Sequence, residues 1–342
     1  MKKNILEIGP YSAVGGVSIH IKRLAALLKG HYNFTFIDES PRLQVDSEVF
    51  NLRSKNIFKY CGLIYRADVV HIHSGIWWLT CFHISTAFIF RKKIIVSIHS
   101  LSNLKNNFSI KITQLFLSLA TKVIFVSQEI YEKFKSKNGA VIHAFIPPDL
   151  SNEKDLPSEV LSILKKNTDK KIIVNNASKL VLYRGQDLYG MDLLIEVAHM
   201  IKKESNNYKI IFVVASREES LNLFDLYQQR IKDEKLENQI TLIHNPISFV
   251  KLMVESDLVV RATNTDGDAL TVREALFLNR PIIASDVTFR PEGTILFKNR
   301  DSEDLYLKIN ETLNKSKREP VGLSEENLQT YRKKHISIYK FL

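Results

Sequence analysis

The chain has little cysteine, no long hydrophobic run and almost no net charge in its second half, and each shortage removes a class of protein. Its 342 residues include only two cysteines, Cys61 and Cys81. Both sit in apolar surroundings and neither belongs to a C-x-x-C pair, which argues against a disulfide framework or a zinc site. No stretch reaches the roughly 18 uninterrupted apolar residues of a membrane span; residues 76–90 come nearest and carry His83. The apolar run in residues 1–10 is broken by Glu7 and too short for a secretory leader. A reducing, cytoplasmic address is the expectation.

What remains is an ordered globular chain, with 45% of residues apolar and 25% charged, outside the disordered range. Its length suits two α/β domains of about 150 to 200 residues better than one core. The formal charge of +11 is concentrated at one end. Residues 1–150 hold 19 of the 48 lysines and arginines but only 9 of the 37 aspartates and glutamates.

Strands alternate with helices twice over. In the first half, residues 4–8, 34–37, 69–73, 94–99 and 123–126 read as strands. The first is followed by a small-residue turn, Gly9-Pro-Tyr-Ser-Ala-Val-Gly-Gly16. A helical pattern over 17–28 then puts Val17, Ile21, Leu24, Ala25 and Leu28 on one face. In the second half, 171–175, 210–214, 239–243, 258–260 and 281–284 read as strands, and 191–203, 221–233, 247–255 and 272–278 as helices. Such an order argues parallel sheets covered on both faces. Pro147, Pro148 and the polar run after them suit a linker, with the hinge near 146–170.

Between the strand at 258–260 and the helix at 272–278 runs Asp266-Gly-Asp-Ala-Leu-Thr-Val-Arg-Glu274. A loop that opens a helix beside a parallel strand presents unpaired amide N–H groups and the positive end of the helix dipole. That is where α/β proteins take phosphate. Gly267 lets a ligand come close to the backbone, and a carboxylate at 274 can accept two hydrogen bonds from a vicinal diol. The stretch reads as a nucleotide site; an acidic surface loop with a solvated Glu274 is the plain alternative.

Several landmarks follow one another in a telling order. They are Gly15-Gly16, Asp68-Val-Val-His-Ile-His73, Ser97-Ile-His99, Val123-Ile-Phe-Val-Ser127, Tyr189-Gly-Met-Asp-Leu-Leu-Ile-Glu-Val-Ala198 and the loop from Asp266 to Glu274. Together they resemble the GT-B glycosyltransferases of family 4 over nearly the whole chain, and most of all a branch of bacterial enzymes that build surface polysaccharides. The resemblance implies a GT-B fold, two Rossmann-like doubly wound parallel-sheet α/β domains facing a central cleft. It places an acceptor domain at 1–150, a nucleotide-sugar domain at 151–326 and a helix at about 327–342 that packs back on the first domain. The implied activity is retaining, metal-independent transfer of a hexosyl group from a nucleotide-diphosphate sugar to a glycan or lipid-linked acceptor, in synthesis of capsule, O-antigen or a similar polysaccharide. No cofactor besides the donor and no nucleic-acid partner are implied.

By the same resemblance, Glu274 takes the donor ribose, and Asp266, standing where the family usually has Glu, lies near the donor sugar. Gly267, Asp268, Ala269, Leu270 and Thr271 offer backbone to sugar and phosphate. Gly15 and Gly16 match the family's glycine turn. His99 matches a position facing the reacting sugar, where an imidazole can bind a hydroxyl or assist a proton. The family's diphosphate-binding Arg and Lys are missing: those places read Asn175-Asn-Ala-Ser-Lys-Leu180 and Leu188-Tyr189-Gly190. Tyr189 therefore replaces the Lys, and Lys179 or Arg184 is expected to supply the cation, with Arg261 and Arg273 as substitutes. His71 and His73 alternate along a strand and are expected to point to opposite faces, at least one as a core residue. The first half holds no carboxylate defensible as a nucleophile, so front-face transfer, with the leaving phosphate taking the acceptor proton, is the expected route.

Arg91-Lys-Lys93 and the mixed basic and apolar segment 104–119, with Trp77, Trp78 and Phe82, suit a peripheral contact with an anionic membrane at its inner face. The alternative is that these apolar residues face the core. Three other functions fit parts of the chain. A nucleotide-sugar epimerase of related fold would turn over donor without acceptor. A dehydrogenase needs a G-x-G-x-x-G turn, a spacing that Gly9, Gly15 and Gly16 do not give. A non-catalytic nucleotide- or nucleic-acid-binding protein would use the basic half as a phosphate surface, although no nucleic-acid-binding motif is present.

Overall fold

The computed structural model describes residues 2–13, 15–41, 49–100, 106–216, 220–244 and 246–315, with Lys333, Ile336, Ser337 and Tyr339 near the end. The chain forms two compact units, Met1–Ile146 with Glu326–Leu342, and Pro147–Glu325. Most of the helix expected over 327–342 lies outside the described residues; the four that are described are helical.

The first unit is built on strands β1 (Asn4–Gly9), β2 (Asn33–Asp38), β3 (Val49–Asn51), β4 (Val69–Ile72), β5 (Lys93–Ile98), β6 (Lys122–Phe125) and β7 (Gly139–Val141). They form one parallel sheet in the order β3-β2-β1-β4-β5-β6-β7. Helices α1 (Gly16–Leu28), α2 (Ile57–Arg66), α3 (Trp77–Ile89), α4 (Asn107–Leu117) and α5 (Gln128–Phe134) connect them. Because side chains alternate along a strand, the sheet has two cores. Leu6, Ile8, Val70, Ile72, Ile94, Val96 and Ile98 face a cluster with Tyr60, Ile84 and Phe125. Ile5, Val69 and Ile95 face the other side, with Leu24 and Leu28 of α1 and with Tyr339. Burying an Ile or Leu of this kind contributes about 1.5–3 kcal/mol.

That parity decides where the polar residues go. Glu7, His71, His73, Ser97 and His99 share the parity of Ile5, Val69 and Ile95, so all belong to the face covered by α1 and Tyr339. The expectation that His71 and His73 point to opposite faces is wrong, since residues two apart on a strand share a face; both imidazoles reach Glu7.

The second unit opens with α6 (Ser158–Lys166) and contains β8 (Lys171–Ala177), β9 (Leu182–Tyr183), β10 (Gln186–Asp187), β11 (Tyr208–Val214), β12 (Ile240–His244), β13 (Leu258–Arg261), β14 (Ile282–Ser285) and β15 (Ile295–Phe297). Its main sheet is parallel in the order β12-β11-β8-β13-β14-β15, and β9 and β10 form a separate antiparallel ribbon. Helices α7 (Met191–Lys203), α8 (Leu221–Asp233), α9 (Phe249–Val254), α10 (Leu270–Phe277) and α11 (Ser302–Lys315) complete it. The ribbon turns at Arg184 and Gly185, both with positive φ (52° and 77°), the backbone of a two-residue hairpin turn whose twist matches its strands.

Counted within its unit, the second large sheet runs 3-2-1-4-5-6, the doubly wound order, and the first runs the same way with a seventh strand added at its edge. Strand order reverses between β1 and β4 and between β8 and β13, and the carboxyl ends at such a reversal are where this architecture binds ligands. The edge strands β3, β7 and β15 and the ribbon escape sequence reading because each is only two or three residues long.

Candidate functional site

In the second unit the loop after β13 is organised by Asp266. Arg261, the last residue of β13, grips it with two bonds, Nε to Oδ2 at 3.0 Å and Nη2 to Oδ1 at 3.2 Å. Arg290 Nη1 donates to Oδ2 at 3.0 Å, as does Thr263 Oγ1 at 3.0 Å, and the Gly267 amide donates to Oδ1 at 3.1 Å. Burial raises the Asp266 pKa, but the Arg261 and Arg290 guanidinium groups outweigh it and hold the carboxyl below its ordinary value. Arg290 is itself buried and donates also to the Ser285 carbonyl at 3.1 Å, at the end of β14. Asp266 thus ties the ends of two neighbouring strands to the start of α10.

Glu274 lies in the second turn of α10 and is buried, 5% exposed. Thr271, in the first turn, donates from Oγ1 to Asn176 Oδ1 at the end of β8, at 3.2 Å. Gly267 is exposed, and a Cβ there would meet nothing within 4 Å. Asp268 pairs with Arg273 at 2.6 Å, so this substitute cation is engaged beside the loop. Ala269 and Leu270 are half-buried.

Tyr189 joins this arrangement through its ring. The Arg261 guanidinium lies over it, 5.2 Å from the centroid, a cation–π contact. The Tyr189 hydroxyl is 2.9 Å from Ser178 Oγ, and its amide donates to Asp187 Oδ1 at 2.8 Å. At the position where the resemblance leads one to expect a Lys, an arginine from β13 therefore stands over Tyr189. Arg184 sits on the ribbon, exposed, with its guanidinium 5.3 Å from the Tyr183 ring. The ribbon touches the loop through the Tyr183 carbonyl, which accepts from Asn264 Nδ2 at 3.4 Å. Lys179 is half-buried next to Ser178. The loop therefore gathers Asp266, Tyr189, Arg261 and Arg290.

In the first unit, Gly15 and Gly16 open α1, and a Cβ at either would meet nothing within 4 Å. His99, just past β5, is half-buried and lies 3.0 Å from His73, Nε2 to Nδ1. His73 Nε2 in turn donates to Glu7 Oε2 at 2.8 Å. His20 of α1 packs its ring 5.0 Å from that of His99 and donates from Nδ1 to the Ala144 carbonyl at 2.6 Å. Burial and the other imidazoles push His99 well below its ordinary value, and burial with His71 pushes His73 down to about 4, against the pull of Glu7. Burial opposes ionisation of Glu7, yet His71 and His73 together drive its pKa far down. Two sets here have the spacing of metal ligands, His20 with His73 and His99, and Glu7 with His71 and His73.

Sequence reading did not name Arg290, Glu7, His20 or Tyr339 as site residues. Arg290 belongs to no motif. Glu7 left a trace, because a carboxylate inside a buried strand is the kind of exception that marks a paired or functional group.

Residues 178–315 match the family described as glycosyl transferases group 1, a segment that contains the whole loop from Asp266 to Arg290. The poly(ribitol-phosphate) alpha-N-acetylglucosaminyltransferase of Staphylococcus aureus (strain COL) is 30% identical over 125 residues, which is 36% of this chain and 23% of that protein. The chain thus spans about a quarter of the length of this curated relative. HepE of Anabaena, solved in complex with UDP, superposes with a TM-score of 0.71 at 17% identity, covering 100% of both chains. A glycosyltransferase from Rickettsia africae ESF-5 does so with a TM-score of 0.68 at 21% identity, over 98% of this chain and 94% of the other. The two parallel-sheet domains are those of the GT-B fold.

Proposed function

We propose that the chain is a retaining glycosyltransferase of GT-B family 4 that moves a hexosyl group from a nucleotide-diphosphate sugar to a glycan or lipid-linked acceptor in surface-polysaccharide synthesis. One observation carries the reading: the Asp266 loop, pinned by Arg261 and Arg290, delivers Glu274 and the first turn of α10 to the carboxyl ends of the second sheet, inside the segment that matches the family. In this reading Glu274 binds the ribose, Gly267 to Thr271 line sugar and phosphate, and Asp266 shapes the loop beside the sugar. Gly15, Gly16 and His99 of the first unit are assigned to the donor by the family resemblance. Lys179, Arg184 and Arg261 over Tyr189 are the cations this reading assigns to the diphosphate, and with them transfer needs no metal ion or cofactor.

HepE has also been solved in complex with UDP-glucose, which makes UDP-sugars the first donors to test. A panel of UDP-, GDP- and ADP-sugars read for hydrolysis, with thermal stabilisation by the matching nucleoside diphosphates, is expected to yield at least one donor. Silence across the panel in both readouts removes the enzyme reading, and conversion of donor to an epimer without acceptor replaces it with the epimerase.

The lipid-linked acceptor is favoured by a surface of the first unit. Trp78, Phe82, Phe88 and Ile89 of α3 and Phe108 and Leu115 of α4 are exposed, Phe108 at 67%, near Arg91, Lys92 and Lys111. The region divides between core and surface, since Phe82 also stacks on the buried Tyr60 and Ile110, Phe116 and Leu117 pack in or against the core; no described helix is long and apolar enough to cross a membrane. Exposed apolar side chains with cations close by in sequence suit an anionic bilayer at the cytoplasmic side. Flotation with phosphatidylglycerol vesicles is expected for the wild type and not for Phe108→Ser with Leu115→Ser; failure of the wild type at physiological salt ends the membrane contact.

A further inference from the structure

We propose that Glu7 and His73 are positioning residues that hold His99 as its Nε2–H tautomer, so that the imidazole meets a sugar hydroxyl with Nδ1 as the hydrogen-bond acceptor. The inference rests on the reading of His99 as the histidine facing the donor sugar. The assignment follows from counting protons along a chain of contacts.

Glu7 ends the chain. It is buried at the centre of the first sheet, and as a carboxylate it can only accept. His73 Nε2, 2.8 Å from Oε2, must therefore carry the proton. A neutral imidazole has one N–H, so the lone pair of His73 is at Nδ1. The nitrogen facing that lone pair, 3.0 Å away, is His99 Nε2, which must donate. His99 is then left with its lone pair at Nδ1, the far side of its ring. Burial and the neighbouring imidazoles lower the basicity of His73 and His99 below that of a free imidazole, which is in keeping with the one proton per ring that the contacts call for.

The neighbours close the alternatives. His20 gives its Nδ1 proton to the Ala144 carbonyl at 2.6 Å, so that proton is not the one shared with His99. The Tyr339 hydroxyl lies 2.7 Å from His71 Nδ1 and 3.3 Å from Glu7 Oε1, and His71 Nε2 meets Ser97 Oγ at 2.8 Å. The Tyr339 contact occupies the second carboxylate oxygen, and His71 Nδ1 lies 3.3 Å from Oε2, beside the shorter bond from His73, so Glu7 is held from both sides. Glu7, His71, His73, Ser97 and His99 lie on one face of the sheet because their positions along or just past β1, β4 and β5 share a parity, and α1 and Tyr339 cover that face, so the tautomer is set by the fold itself.

The test reads the free protein first. Side-chain nitrogen NMR of histidine-labelled protein is expected to show His73 and His99 both neutral and both protonated at Nε2. In Glu7→Gln the uncharged amide no longer dictates a donor at His73, and the His99 signal is expected to become a mixture of tautomers. Turnover of the identified donor should fall about tenfold in kcat with KM little changed, short of a full general-base effect. His73→Asn, whose amide oxygen stands where Nδ1 stood, should retain several-fold more kcat than His73→Leu. His99 protonated at Nδ1 or cationic in the wild type overturns the proposal. So does a Glu7→Gln protein that is folded with His99 unchanged, or uptake of one equivalent of cobalt(II) by the wild type and not by His73→Asn, which would put a metal where the shared proton is assigned. Because the NMR readout needs no donor, failure of the donor panel leaves this test intact.

Discussion

Glu274→Ala is expected to lose at least ~100-fold in kcat/KM for nucleotide-sugar turnover while keeping its fold. A carboxylate that accepts both hydroxyls of a ribose makes two charge-assisted hydrogen bonds, each worth about 1.5–3 kcal/mol, so losing both costs about 3 kcal/mol or more in transition-state binding. Glu274 suits this task because it is buried on α10, where a carboxylate bonds a ligand with little competition from water. Thermal stabilisation by the cognate nucleoside diphosphate should vanish in parallel, because a ligand at a hundredfold excess over its Kd contributes about 2.7 kcal/mol that the variant cannot collect. Glu274→Gln, which keeps one acceptor oxygen in place, should fall between wild type and alanine. Wild-type turnover by a folded Glu274→Ala would remove the ribose assignment and with it the reading of the loop.

The same loop shows what a sequence can and cannot reveal. Its place was legible because a buried strand, a polar glycine-bearing stretch and a helix follow one another directly, and the helix begins at Leu270 within two residues of the expected start. The doubly wound sheets were legible for a similar reason: interior parallel strands such as Ile172, Ile173 and Val174 are covered on both faces and read as unbroken apolar runs. The charge pairing was not. Asp266 finds Arg261 five residues back but Arg290 24 residues on, and the second partner is chosen by the adjacency of β13 and β14, which no spacing rule encodes. Asp266 therefore has its charge opposed by two guanidinium groups of its own unit, a fact that bears on how much of it is left for a sugar. The histidine cluster was half legible. His99 was singled out, but the residues that govern its proton come from β1, β4 and α1, and only the sheet register, with Glu7 opposite His71, brings them together.

Gly190→Ala is expected to destabilise the second unit by ~3 kcal/mol or more, whereas Gly185→Ala, at nearly the same φ, should cost only about 1 kcal/mol. Both glycines have left-handed backbones, φ 74° and 77°, and a side chain there costs about 1–2 kcal/mol through crowding with its own carbonyl. Their surroundings differ. A Cβ at Gly185 would meet nothing within 4 Å, but one at Gly190 would sit 2.3 Å from the Ala262 carbonyl oxygen and 2.6 Å from the Ala262 Cβ. Those atoms belong to the chain just after β13 and cannot rotate aside, so α7 and the start of the loop must move apart, with an overpacking cost of about 1–3 kcal/mol on top of the backbone strain. A stability of roughly 5–15 kcal/mol tolerates one such loss, with a fall in Tm of about 2–4 °C per kcal/mol for a domain of this size. Urea unfolding of the two variants side by side decides it, and equal midpoints would show that Ala262 yields. The consequence reaches the site, because Gly190 follows Tyr189, whose ring bears the Arg261 guanidinium. A variant that folds with Ala262 displaced should therefore also lose affinity for the nucleoside diphosphate, while Gly185→Ala should not.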